Sequence, residues 1–193
     1  MPSKTRRPSP LAGTLRAYIT IEVHDANGRL VRRRRRRARS FVRNFLRSYF
    51  GFVSPLLTVG LWAILDTTGA SRSRGTGSDQ QANISGVKPW IRIGSGTTAP
   101  TVTDSELETP IVTAQLTTTV TDLSSGDDVS YSFLMMWTNA GATVTINETT
   151  FQVRVTWANV TRTLIISRDL ISPGVDIANG EIASVTYTFT TTV

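Results

Sequence analysis

Six arginines stand in a row, Arg32–Arg37, at the end of a segment whose apolar residues alternate. Leu15, Ala17, Ile19, Ile21 and Val23 interleave with Arg16, Tyr18, Thr20, Glu22 and His24. That is the period of a half-buried strand. The stretch Asp25-Ala26-Asn27-Gly28 is a turn signal, with Gly28 free to take a positive φ. Residues 15–37 therefore read as a β-hairpin whose returning strand is the arginine run. Alternate side chains on a strand point to opposite faces, so the run divides into Arg32, Arg34, Arg36 and Arg33, Arg35, Arg37. Neither set suits an apolar core. The run is expected to meet solvent or an anionic partner.

The charge distribution says what kind of partner. Residues 1–47 hold 14 of the 21 basic residues and two acids, Glu22 and Asp25, while the other 146 residues hold 7 basic and 12 acidic groups. A basic N-terminal part is joined to a mildly acidic body, as in chains that meet a polyanion at one end. All but two of the basic residues are arginine, which forms bidentate contacts to phosphate and carboxylate and keeps its charge. Arg32–Arg37 and Arg39 are the candidate polyanion-binding residues. The run contains no aromatic residue, so base stacking is not indicated. Contact with nucleic acid would be to phosphate, without sequence readout. With about six contacts, log affinity would fall against log salt with a slope near −5. Acidic surfaces of neighbouring subunits are the other counterpart.

After the run the period changes. Phe41, Phe45, Leu46, Tyr49 and Phe50 recur at helical spacing, Ser40 can cap, and Pro55 lies beyond the end. Residues 40–53 are expected to form a short amphipathic helix. Its Phe41, Phe45, Tyr49 and Phe50, with Phe52, are the candidate assembly interface, since so large an apolar surface on so small an element marks an interaction site. Residues 49–65 carry no charge, but Gly51, Pro55 and Gly60 interrupt them and the length is at the short limit for a span. The end of a helix followed by a buried strand, residues 58–65, is the better reading.

The remainder reads as β structure. Residues 66–87 are rich in Gly, Ser, Thr and Asn and form a loop. Residues 88–96 are a short strand, and residues 94–111 another loop. From residue 110 onward six strand-like segments are separated by turn signals, among them "SSGDD", "NAG", "SPG" and "ANG". Threonine, 30 residues of 193, crowds into these segments as β-branched residues do. The expected fold is mainly β: an antiparallel β-sandwich or jelly roll over 88–193, preceded by the hairpin and the amphipathic helix. The expected organisation is a disordered basic tail (1–14), an assembly region (15–65), the loop (66–87) and the β domain (88–193). That β domain is expected to fold without the first 60 residues.

Three segments read together resemble a known group. "LDTTGASRS" (65–73) precedes "WIRIGSGTTAPTVTDSELETPI" (90–111), and "TLIISRDLISPGVDIANGEIASVTYTFT" (163–190) closes the chain. "VHDANGRLV" and "SFVRNFL" fit the same pattern. The chain resembles small virion structural proteins of tailed bacteriophages, their prophages and some archaeal viruses, over about half its length. The resemblance implies a capsid, connector or tail component, located in the virion. It would assemble in many copies with itself and other virion proteins and could touch the packaged genome. Two other classes stand beside it: a sequence-independent nucleic-acid-binding protein, and a surface or membrane-anchored β domain.

Chemistry finds little footing. There is no cysteine and a single histidine, His24, so thiolate metal sites, disulfides and a serine–histidine pair are not expected. The "GTT" of residues 96–98 is followed by no lysine and lacks phosphate-loop spacing. Asp104, Glu106 and Glu108, at two-residue spacing, could offer oxygen to calcium, but capping acids in a loop are the commoner case. No catalytic residue, metal, cofactor or small-molecule substrate is expected.

Overall fold

The structure is a computed structural model, which describes residues 14–40, 64–65, 71–72, 89–112, 118–125, 128–157 and 160–192. Its strands are β1 (Thr14–His24), β2 (Leu30–Arg37), β3 (Ile64–Leu65), β4 (Ser71–Arg72), β5 (Pro89–Gly94), β6 (Thr118–Asp122), β7 (Asp128–Thr138), β8 (Val144–Trp157), β9 (Val160–Ile177) and β10 (Ile182–Thr192). They form a five-stranded sheet of order β2-β1-β10-β7-β6, a three-stranded sheet of order β5-β8-β9, and the small pair β3-β4. Every pairing is antiparallel. The fold is mainly β, and its two larger sheets pack as a sandwich.

Why these segments are strands follows from their alternation. On β1, Ala17, Ile19, Ile21 and Val23 are buried, while Arg16, Tyr18, Thr20, Glu22 and His24 face the other way. β10 does the same with Ala183, Val185 and Tyr187. These residues meet Ile91, Ile93, Ile146, Phe151 and Ile171 of the opposing sheet in one core cluster. An aromatic knot closes its middle: the Phe151 ring lies 4.9 Å from Phe133, 5.5 Å from Tyr187 and 5.0 Å from Phe189. Removing a buried isoleucine such as Ile21 would cost roughly 2–5 kcal/mol through lost burial and the cavity left behind.

This arrangement redraws the organisation expected from the sequence. β1 is an interior strand, hydrogen-bonded along its length to β10 on one side and to β2 on the other. The β layer therefore begins at Thr14, and a boundary at residue 88 does not separate it from what precedes. The reason is that the C-terminal strand supplies β1's partner, a pairing between the two ends of the chain that local patterning cannot reveal.

A second correction concerns the turn signals. Residues 172–174, "SPG", do not end a strand: β9 runs through them. The ladder with β8 shifts there, passing from Ile146↔Val175 to Glu148↔Leu170. Pro173, which has no N–H to give, sits in the interrupted stretch. The sequence segments 142–149 and 150–160 are likewise one strand, β8, carried past the same irregularity.

At the other turn the local chemistry matches the geometry. The Asp25 carboxylate accepts the N–H groups of Asn27 and Arg29, both at 2.9 Å, and Gly28 takes φ +80°. Residues 41–53 of the expected helix, residues 1–13 of the expected tail 1–14, most of the uncharged segment 49–65 and most of the loop 66–87 lie outside the described residues, while Thr14 opens β1.

Candidate interaction face and a buried arginine clamp

β2 is the outermost strand at one side of the five-stranded sheet. Its register with β1 assigns a direction to every arginine. Arg32, Arg34 and Arg36 stand opposite Val23, Ile21 and Ile19, on the face that looks toward the other sheet. Arg33, Arg35 and Arg37 stand opposite Glu22, Thr20 and Tyr18, on the outer face.

The inward set is consumed within the molecule. Arg32 forms an ion pair with Glu181, Arg34 donates to the Ser172 carbonyl, and Arg36 donates to the Leu170 carbonyl. Arg34 and Arg36 thus set their guanidiniums on backbone carbonyls of β9, while Arg32 reaches a carboxylate in the turn beyond its end. Thus one face of the run does border the core. None of the six arginines is itself buried: Arg34 and Arg36 are half-buried and the other four are exposed.

The outward set stays available. Arg33 lies 3.1 Å from Glu22, and Arg35 sits 4.6 Å over the Tyr18 ring. Arg33, Arg35 and Arg37 are all exposed, as is Arg16 on the same face of β1. Arg39 follows at the exit of β2; its side chain is exposed while its N–H donates to the Asp169 carboxylate at 2.9 Å. The Ser40 N–H reaches the same oxygen at 3.2 Å. Asp169 is fully buried, and that burial raises its pKa against the lowering effect of those two amides. Phe41, Phe45, Tyr49, Phe50 and Phe52, the expected assembly interface, lie outside the described residues.

A second constellation escaped the sequence reading. Arg168, on β9, is 4% exposed and gathers three carboxylates. It donates to Glu148 and to Asp104, both at 2.8 Å, and to the Thr98 carbonyl at 3.2 Å, with Glu108 at 3.5 Å. Glu148, on β8 and wholly buried, also accepts the N–H groups of Gly96 and Thr109. Glu108 accepts both the N–H and the hydroxyl of Thr98. The loop 95–110 is thereby clamped to the outer face of the β5-β8-β9 sheet. Gly94 and Gly96 are required there because a Cβ at either would collide with the Glu148 side chain.

Burial alone would lower the Arg168 pKa. Its hydrogen bonds to Asp104 and Glu148, and their charges, outweigh that and raise it. Asp104 is held below its ordinary 3.8, because bonds from Thr101 and Arg168 exceed the desolvation that would raise it. Two of the three loop acids thus face an arginine, and Asp104 also accepts the N–H and hydroxyl of Thr101, three residues before it. Glu106 is exposed. Among the described residues no group of acids or histidines is arranged to hold a metal ion.

The signal for the clamp was present in "TLIISRDL", where Arg168 and Asp169 interrupt an apolar run. Charges in such a run need buried partners, but the partners lie 20 to 70 positions away. No protein-family model matches the chain, and no curated protein or solved structure matches it.

Proposed function

We propose that the chain is a non-enzymatic structural component of a virus particle. It is built in as many copies and uses its Arg-rich N-terminal region to hold neighbouring subunits or packaged genome. The observation that supports this most is the outward half of the arginine strand: three exposed arginines and one carboxylate, on the edge of a rigid sandwich. A charge array fixed on a sheet is suited to a repeating contact, because its spacing is set by the backbone and only the side chains need ordering on binding. The Arg168 clamp fits the same reading. It joins the segments around residues 94–110 and 163–170, two of those that carry the resemblance to virion proteins, by ion pairs that organise a loop.

Assembly is tested by the mass of the full chain in solution. Light scattering is expected to give a large oligomer. Replacing Phe41, Phe45, Tyr49, Phe50 and Phe52 by serine is expected to leave a folded chain of much lower mass. A full chain that stays monomeric at high concentration and low salt overturns the proposal.

A further inference from the structure

The outer face of the five-stranded sheet continues the arginine edge in a regular way. Cross-strand registers extend each outward arginine into a row of side chains. Arg35 leads through Thr20, Thr186 and Leu134 to Thr119, and Arg37 through Tyr18, Thr188 and Ser132 to Thr121. A third row runs from Arg33 through Glu22 and Ser184 to Met136. Arg16 heads a fourth with Thr190 and Ser130, whose hydroxyls lie 3.0 Å apart. Among the described side chains the face therefore carries Arg16, Arg33, Arg35 and Arg37 against Glu22, and beside them the part-exposed hydroxyls of Thr20, Thr119, Thr121, Thr186, Thr188 and Ser132, with Leu134 and Met136 among them. Residues two apart on a strand are about 6.6 Å apart, and five strands span about 19 Å. The face is a regularly spaced array of cations and hydroxyl donors along its arginine side.

Among the described residues, a second copy of the chain offers no acidic patch to complement it. Among the described acidic side chains, nearly all are already engaged. Asp25 holds its turn amides, Asp104, Glu108 and Glu148 hold Arg168, and Asp122 accepts Ser124. Asp169 holds the amides of Arg39 and Ser40, Asp176 accepts Thr145, and Glu181 pairs with Arg32. Among those residues Glu106 is the acid left without a hydrogen bond or ion pair, so no acidic patch matches the arginine face. A polyanion brings dense negative charge of its own and suits the face better.

We infer that the outer face of the five-stranded sheet docks the phosphate backbone of a nucleic acid, with Arg16, Arg33, Arg35 and Arg37 neutralising phosphates and the threonine rows donating to phosphate oxygens. This deepens the reading of the arginine strand as a contact surface and rests on it. Arginine and hydroxyl contacts to phosphate position a duplex without reading its sequence. Half of the arginine run is occupied internally, so the salt dependence is gentler than six contacts would give. Four phosphates correspond to a log–log slope of about −3.6, a roughly hundredfold loss of affinity between 50 and 200 mM salt.

The test uses the full chain and short duplex DNA of mixed sequence, titrated with salt. Arg33→Gln/Arg35→Gln/Arg37→Gln is expected to flatten the slope to about −1. Arg32→Gln/Arg34→Gln/Arg36→Gln, checked for folding by circular dichroism, is expected to keep the wild-type slope. Thr186→Val/Thr188→Val is expected to weaken binding at unchanged slope, since it removes donors and no charge. Equal flattening by both arginine triples, or no binding by the wild type at low salt, overturns the inference. So does displacement of bound DNA by poly-glutamate as readily as by unlabelled DNA, which would assign the face to an acidic protein. Solution mass reads the assembly proposal separately: an assembling chain that ignores DNA keeps that proposal and loses this one, and a monomer that binds DNA does the reverse.

Discussion

Arginine serves opposite ends in two parts of this molecule. Arg168 is buried and faces Asp104, Glu108 and Glu148, three carboxylates to one cation. Arg33, Arg35 and Arg37 are exposed, and Glu22 is the acid opposite them. The first cannot exist without its partners, because a desolvated charge left alone is costly. The second keeps most of its charge for something outside the chain. Between them stand Arg32, Arg34 and Arg36, which share a strand with the second group and a purpose with the first. Proximity in sequence therefore says little about what an arginine does here, and the face it occupies says most.

The largest test of this division removes the strand that carries it. Deleting residues 1–60 takes away β1 with buried Ile19, Ile21 and Val23, and leaves β10 without its partner. We expect a chain that is insoluble or lacks a cooperative unfolding transition. A soluble, cooperatively folding fragment would show that the arginine region is an appendage after all.

Next in size is Arg168→Met. It strands Glu148, fully buried, without its cation. The expected loss is about 3–5 kcal/mol, read from the urea midpoint, with loop 95–110 becoming open to proteolysis. The same variant alters acid stability. Asp104 has its pKa below the ordinary 3.8, so its contribution is complete above that value and is lost as pH falls through the lowered one. Wild type should lose this advantage over Arg168→Met below about pH 4. A gap that stays constant down to pH 2 would mean that the clamp is not ionic.

A smaller effect is expected at Asp169, with the opposite sign. Burial raises its pKa, so the folded chain binds the proton more tightly than the unfolded one, and stability from this group rises as pH falls through the raised value. Asp169→Asn keeps an oxygen for the amides of Arg39 and Ser40. It also gains a donor in the buried polar group that includes the hydroxyls of Ser167 and Tyr187. Its urea midpoint should equal or exceed wild type at pH 7, and the difference should shrink at a lower pH where the Asp169 carboxyl takes up its proton. A destabilised variant at both pH values would show that the charge itself is needed.

The strands were legible wherever one face is apolar. The alternation of Ala17, Ile19, Ile21 and Val23 names the buried face of β1 correctly. The core face of β10 was legible in the same way, through Val185 and Tyr187. What escaped was non-local. β1 pairs with β10 across nearly the whole chain, and Arg168 meets Thr98 and Asp104 across 70 and 64 positions. "SPG" misled because proline usually ends a strand, and here it lies where the ladder is already interrupted. The partners of the inward arginines were equally non-local, since Glu181, Ser172 and Leu170 lie 149, 138 and 134 positions from Arg32, Arg34 and Arg36.

The central claim, that one arginine strand has a structural face and a binding face, is tested most directly by unfolding two triple variants side by side in urea. Arg32→Gln/Arg34→Gln/Arg36→Gln removes an ion pair and two charged hydrogen bonds to β9 carbonyls. It should lower stability by about 2–4 kcal/mol. Arg33→Gln/Arg35→Gln/Arg37→Gln removes exposed side chains and one surface ion pair. It should change stability by no more than about 1 kcal/mol. Equal losses from the two variants, or a larger loss from the outward set, would contradict the account.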